Sequence, residues 1–169
     1  MRRLGSDCRV VRHLLTLGRD ATTWLDGREA SVFIQQGFTI ADDDLDYPGA
    51  GVRVELHEPS PRGAGNVGRH PELGSAALVS AVPVTDAAAF LRIASEPELI
   101  QREATYAAQV EADGYRFLFQ INEEGWPVDG DPGSEFIEEH LFGFGSLYLY
   151  GNLDQPGRAD DIVAGFLNL

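Results

Sequence analysis

The chain has 169 residues, 43% of them hydrophobic and 24% charged, a composition that excludes the disordered and membrane-spanning classes and suffices for one buried core. Its formal net charge of −14 repels phosphate backbones, so we expect no nucleic-acid partner. No apolar run reaches the roughly 18 residues of a membrane span, and no linker divides the chain, so we expect a single domain over residues 1–169 that does not enter a membrane.

The first half of the chain contains three segments with the pattern of β-strands. Residues 31–40 are rich in β-branched and aromatic side chains, and residues 76–84 form a second apolar run. In residues 51–58, three aliphatic side chains alternate with polar ones, which is typical of a half-buried strand. A loop rich in Gly and Pro covers residues 59–74, whereas residues 6–30 show no clear period and stay unassigned.

The second half begins with a helical pattern and continues with strands. Residues 85–113 are predicted to form one or two helices, with Ser95 in a capping-box context and Gly114 placed to end the last turn. Three strand-like apolar runs follow, at residues 115–121, 145–151 and 162–169. The predicted fold class is α+β, with a mostly antiparallel or mixed sheet packed against one or two helices from residues 85–113.

None of the chemical motifs in the sequence has the context that its chemistry needs. A Gly-rich stretch at residues 63–68 matches a dinucleotide-binding string, but no helix start follows it to hold a phosphate. Alternating aspartates at residues 42–46 lack the glycine and the bidentate glutamate of a calcium loop. Neither the four His nor Cys8 has the spacing of a metal site or of a nucleophile with its base. We therefore expect no catalytic residue, no metal and no cofactor.

Charge and cysteine usage indicate the kind of partner and the compartment. Residues 1–40 carry a net charge of +2, whereas residues 41–169 carry −16, which would attract a basic protein. All 13 basic residues are Arg, which excludes a Schiff-base or P-loop lysine. A single cysteine, Cys8, permits no internal disulfide, and the charges at Asp7 and Arg9 interrupt any hydrophobic leader. We expect a cytoplasmic location.

An acidic segment at residues 122–139 is the strongest candidate for partner binding. It carries seven acidic residues and no basic one, and strand-like runs on both sides hold it in place. Trp126 lies within it, and aromatic side chains inside charged surfaces are frequent hot spots of protein interfaces. Our leading hypothesis is a non-enzymatic protein-binding module, of immunity or regulatory type, for a basic protein. The predicted contact residues are Glu123, Glu124, Trp126, Asp129, Asp131, Glu135, Glu138 and Glu139.

Two other hypotheses stay open. Aromatic side chains of two C-terminal strands could line a pocket for a small ligand or an enzymatic reaction. The residues predicted to line it are Tyr115, Phe117, Tyr148 and Tyr150. A structural homodimer could form if the apolar run at residues 162–169 is an edge strand that pairs across a two-fold axis.

Two C-terminal segments resemble the YwqG-like family of bacterial domains. Residues 117–123 read Phe-Leu-Phe-Gln-Ile-Asn-Glu, and residues 142–149 read Phe-Gly-Phe-Gly-Ser-Leu-Tyr-Leu. The family is similar in having an aliphatic run that ends in Gln-hydrophobic-Asp, an acidic loop, and then aromatic-Gly-Asp-x-Gly before a strand. Asn122 and Phe144 stand where the family usually has an acid, and Phe142 stands where it has Trp. The resemblance covers the last third of the chain and implies an α+β fold with no established activity.

Overall fold

The computed structural model describes residues 10–36, 38, 47–61, 68, 73–74, 90–100, 107–122, 145–154 and 157–168. These ranges contain seven strands: β1 (Val11–Leu17), β2 (Glu29–Gln35), β3 (Val52–His57), β4 (Leu91–Ile93), β5 (Arg116–Ile121), β6 (Ser146–Leu153) and β7 (Ala159–Asn168). A five-residue helix, α1 (Ala108–Ala112), precedes β5. A single 3-10 turn, Thr23–Leu25, lies between β1 and β2.

The seven strands form one antiparallel sheet in the order β1-β2-β3-β7-β6-β5-β4. It consists of two meanders, β1 to β3 and β4 to β7, which meet where β3 pairs with β7. The strand β7 therefore lies inside the sheet, with β6 on one side and β3 on the other. Residues 162–168 are therefore not an edge strand, and a homodimer stays a prediction without that contact.

The fold is mostly β, and the α+β prediction is wrong. Residues 91–93, inside the predicted helical region 85–113, form β4 and pair with β5. In the described part of that region only α1 is α-helical, while residues 85–89 and 101–106 lie outside the description. Strand formation depends on contacts with a neighbouring strand that a local pattern does not contain, and here the apolar strand β5 supplies them.

The strand predictions for the C-terminal part of the chain are confirmed, since β5, β6 and β7 overlap the three predicted apolar runs. The same is true of β3, whereas β2 begins before the predicted segment 31–40 and ends at Gln35. Gly114 follows α1 with a φ of 91°, which confirms its predicted left-handed role. The predicted strand at residues 76–84 lies outside the described residues.

The main core covers one face of the sheet and joins the two meanders. Phe119 of β5 stacks on Trp24 of the 3-10 turn, with ring centroids 6.0 Å apart and an interplanar angle of 12°. Both rings are buried, so this contact links the C-terminal meander to the connection between β1 and β2. The largest fully buried aliphatic side chains of this core are Leu25, Val32, Ile121, Leu147 and Leu149.

A second, smaller core lies on the opposite face of β5 and β6. Alternate residues of a strand point to opposite faces, so Tyr148 and Tyr150 lie on the side away from Leu147 and Leu149. The helix α1 covers this side through Val110, its buried residue. Tyr47 and Tyr115 pack against the second core, and they belong to the candidate site.

Candidate functional site

The acidic segment predicted to bind a partner begins at Asn122, after which its residues lie outside the described ranges. The contact residues named for it are Glu123, Glu124, Trp126, Asp129, Asp131, Glu135, Glu138 and Glu139. The amide oxygen of Asn122 accepts a hydrogen bond from the hydroxyl of Ser146, the first residue of β6, at 3.1 Å. The two flanks of the acidic segment are thereby tied together at one end of the pair β5 and β6. Its role in partner binding stays a prediction.

The four aromatic residues predicted to line a pocket do come together on one sheet face. Phe117, Tyr148 and Tyr150 are at most 8% exposed, and the ring of Phe117 meets that of Tyr150 edge-on at 5.7 Å. Tyr115 is half-buried and packs against the edge of this group. The three buried rings fill the second core with one another, and a ligand pocket between them stays a prediction.

The buried side chain of Gln120 forms hydrogen bonds with the segment 94–100, which packs against the second core. The side-chain oxygen of Gln120 accepts a hydrogen bond from the backbone N–H of Glu98 at 2.7 Å, and its amide donates to the carbonyl of Glu98 at 3.3 Å. The side-chain amide of Gln120 thus bonds to both backbone groups of Glu98, as a residue of a neighbouring strand does in a β-ladder. The hydroxyl of Tyr148 donates to the same carbonyl at 2.9 Å. These three bonds satisfy buried polar groups that would otherwise be costly to bury.

Two half-buried tyrosines and two exposed aspartates form a group beside the second core, which we call the tyrosine–aspartate patch. The hydroxyl of Tyr47 donates to Oδ2 of Asp113 at 2.9 Å, and that of Tyr115 donates to Oδ2 of Asp161 at 2.9 Å. The two rings lie 5.9 Å apart at an angle of 56°. Tyr47 lies in the segment before β3, Asp113 and Tyr115 lie in the turn between α1 and β5, and Asp161 lies in β7. Three separate parts of the chain therefore build one surface.

The patch presents negative charge and neutral phenols. Burial, together with the hydrogen bond to Asp161, raises the pKa of Tyr115 to about 12. The hydrogen bond to Asp113 is the main cause that raises the pKa of Tyr47 above its ordinary value. Both phenols are therefore un-ionised at neutral pH and donate to carboxylates that keep further lone pairs for a cationic ligand.

A depression of about 320 Å³ borders the patch at the seam between β3 and β7. Tyr47 and Asp161 line it together with apolar side chains, among them Val54 and Ile162. Arg53 also lines it, but its guanidinium is 2.6 Å from a carboxylate oxygen of Glu55, which offsets its charge locally. The depression therefore combines apolar walls with an acidic rim.

The alkaline titration of Tyr115 provides a test of the patch geometry. Because the fold favours the neutral phenol, the contribution of Tyr115 to the free energy of unfolding is complete below about pH 10 and is lost as the pH rises toward 12. The phenolate absorbance of the native protein minus that of a Tyr115→Phe variant should show a midpoint near 12. A difference midpoint at the unperturbed value of 10.0 would show that Tyr115 is neither buried nor bonded to Asp161.

Sequence reasoning missed three of the four patch residues, Tyr47, Asp113 and Asp161. Tyr115 was named only as a wall of the internal pocket. No local spacing connects these positions, since they are brought together by the order of strands in the sheet. Of the four residues, only Tyr115 could be found from the sequence, because it is an aromatic residue at the start of the predicted strand 115–121.

No group of three or more His, Cys, Asp or Glu side chains in the described ranges is arranged to hold a metal ion. Among the helices of the same ranges, none has the length and apolar character needed to cross a membrane.

Comparisons with known proteins identified no relative of this chain. No family model, no curated protein and no solved structure matches the chain. The similarity to the YwqG-like family therefore stays a prediction based on the two C-terminal segments.

Proposed function

We propose that this protein is a non-enzymatic, cytoplasmic binding module that captures a basic protein through the tyrosine–aspartate patch. The observation that carries this proposal is the pairing of two adjacent tyrosine rings with two aspartates beside a depression that Tyr47 and Asp161 help to line. Faces of aromatic rings attract cations, and carboxylates bond to guanidinium groups with good geometry. An arginine or lysine side chain of a partner fits this combination.

The overall charge supports the same kind of partner. A net charge of −14 increases the rate of encounter with a basic protein, and this effect is screened by salt. The acidic segment starts beyond the other end of β5, roughly 20 Å from the patch for a strand of this length. One interface of ordinary size could span both. We therefore assign the anchoring contact to the patch and the long-range attraction to the acidic segment. A regulatory or immunity-type role follows from such binding.

Neutralising the patch should weaken the binding of a cationic probe much more than removing the same charge elsewhere. We expect the double variant Asp113→Asn, Asp161→Asn to bind a labelled oligo-arginine peptide about tenfold more weakly than the native protein, measured by fluorescence anisotropy at low salt. The reason is that the two carboxylates lie beside aromatic rings, where a bound cation is partly desolvated.

The matched control is the double variant Asp20→Asn, Glu58→Gln, which removes the same net charge at two exposed positions outside the patch. Its affinity should change less than about twofold, because exposed charges act weakly at a distance. Thermal unfolding of each variant checks that the fold is intact. Equal losses of affinity in the two double variants would show that peptide binding follows net charge alone and would remove the patch from the proposal.

A further inference from the structure

An irregularity in β7 holds Tyr47 in the tyrosine–aspartate patch. The register of β6 on β7 shifts between Tyr148 and Leu149, which leaves Gly165 as an extra residue of β7, as in a β-bulge. The carbonyl of Gly165 accepts a hydrogen bond from the backbone N–H of Tyr47 at 2.9 Å. The segment before β3 is thereby attached to β7, and the side chain of Tyr47 packs against the second core.

The alternation of side chains along β7 brings Asp161 to the same surface. Asp161 and Val163 are two positions apart where the pairing with β6 is regular, so both point to the face of the second core. The hydroxyl of Tyr115 donates to Oδ2 of Asp161 at 2.9 Å, which orients the carboxylate. Tyr47 and Asp161 both line the depression between β3 and β7. An aromatic ring and an oriented carboxylate therefore share one wall.

The hydrogen-bonding groups of the patch suit a ligand that has only donors. Each phenol uses its single hydrogen on a carboxylate, and an ionised carboxylate has about four positions that accept and none that donates. The hydrogen bond to Asp113 and, to a smaller extent, the charge of Asp161 raise the pKa of Tyr47. Both carboxylates thus act on the same place, and together they attract a cation.

The spacing of the two rings excludes a cation enclosed between them. Two ring faces that contact the same group from opposite sides lie about 7 Å apart, twice the carbon contact distance of about 3.5 Å. The centroids of Tyr47 and Tyr115 are 5.9 Å apart and their planes are inclined by 56°, so the rings contact each other. A cation can stack only on an outer ring face. These two rings therefore form no aromatic cage of the kind that recognises methylated ammonium groups.

A site of this kind distinguishes the two basic side chains. The lysine ammonium is compact and strongly hydrated, whereas the arginine guanidinium is planar and weakly hydrated. A guanidinium stacks flat on a ring and donates two parallel hydrogen bonds to a carboxylate. Asp113 and Asp161 are exposed and the two rings are half-buried, so a bound cation is only partly desolvated. The more weakly hydrated side chain is favoured under these conditions.

We propose that the tyrosine–aspartate patch is selective for arginine over lysine. This inference rests on the proposed function, because it specifies the side chain that the patch takes from a basic partner. The guanidinium stacks on the outer face of the Tyr47 ring and bonds to Asp161, since these two residues share a wall of the depression. The aliphatic stem of the arginine lies against the apolar wall that includes Val54 and Ile162.

Arg53 lines the same depression and carries the same sign of charge as the ligand. Its guanidinium is 2.6 Å from a carboxylate oxygen of Glu55, so its charge is offset locally. The remaining repulsion acts on any cation, because it depends on charge and distance alone. Arg53 therefore lowers the affinity for lysine and for arginine alike and leaves their ratio unchanged.

The ratio of affinities for two peptides tests the selectivity in the intact chain. Oligo-arginine and oligo-lysine of equal length are compared by fluorescence anisotropy at low salt. The native protein should bind oligo-arginine about three- to tenfold more tightly, and in Tyr47→Leu this preference should fall to about twofold or less. The matched control is Tyr47→Phe, which keeps the ring, loses only the hydroxyl bonded to Asp113, and should retain the preference. Thermal unfolding checks each variant, and Asp161→Asn, which removes the carboxylate that accepts two bonds, replaces Tyr47→Leu if the latter does not fold.

The outcomes separate this inference from the proposed function. Equal affinities for the two peptides, or the native preference retained in Tyr47→Leu, would overturn arginine selectivity. The proposed function would survive that result if Asp113→Asn, Asp161→Asn still weakened the binding of both peptides. If this double variant bound both as the native protein does, the proposed function itself would fail. Tighter binding of a trimethyl-lysine peptide than of oligo-arginine would also overturn the selectivity, because that ligand requires a cage.

Discussion

Replacing Phe119 with alanine is expected to lower the free energy of unfolding by about 3–5 kcal/mol. Phe119 is fully buried at the centre of the main core and stacks on Trp24. Truncation removes its apolar contacts and leaves a cavity that surrounding strands cannot fill. Urea unfolding followed by circular dichroism measures the loss, and Val11→Ala at an exposed edge position should cost about 0.5 kcal/mol or less. Similar losses for the two variants would mean that Phe119 does not occupy the core.

A double-mutant cycle makes the same test specific to the contact between the meanders. Phe119→Ala and Trp24→Ala should be non-additive by about 0.5–1.5 kcal/mol, the range measured for aromatic pairs. Residues that do not touch would give additive losses. Additivity would therefore contradict the stacking that joins β5 to the turn after β1.

Gly165→Ala should lower the free energy of unfolding by about 1–3 kcal/mol, although alanine is ordinarily the better residue in a strand interior. A Cβ on Gly165 would lie 2.4 Å from Cε2 and 2.5 Å from Cδ2 of Tyr150, whose ring is confined in the second core. Thermal or urea unfolding measures the effect. The matched control is Gly18→Ala, where a Cβ meets nothing within 4 Å and the change should stay within about 0.5 kcal/mol.

The ring itself can be tested in the Gly165→Ala background. Tyr150→Leu should recover part of the lost stability there, because the atoms in conflict are ring carbons, whereas Tyr150→Phe should not. A Gly165→Ala protein as stable as the native one would contradict the close packing of β6 on β7.

The strands that were predicted correctly from the sequence are those with a recognisable hydrophobic pattern in their own residues. The alternation in β3 and the aromatic runs of β5 and β6 are local, and the structure confirms them. The three-residue strand β4 is too short to show a period, and its pairing with β5 joins segments far apart in the chain. The same region offers helix-capping signals, so the local pattern led to the wrong fold class.

The candidate site could not be predicted because its residues are neighbours only in the folded sheet. Tyr47 and Asp161 are brought to one surface by the pairing of the two meanders, and neither lies in a recognisable motif. The contact between Ser31 and His57 has the same origin, since it depends on the register of β2 and β3. Tyr115 was found because aromatic residues at strand ends are visible in the sequence, but its predicted role was that of a pocket wall.

The binding of a basic partner at the tyrosine–aspartate patch is tested most directly by mapping where a cationic peptide contacts the protein. Backbone amide NMR spectra recorded during titration with an oligo-arginine peptide give the site without assuming it, and an oligo-glutamate peptide serves as the control. The proposal predicts that the largest shift changes cluster at Tyr47, Asp113, Tyr115 and Asp161, and that they shrink at high salt. Shift changes that leave these four residues unaffected would contradict it.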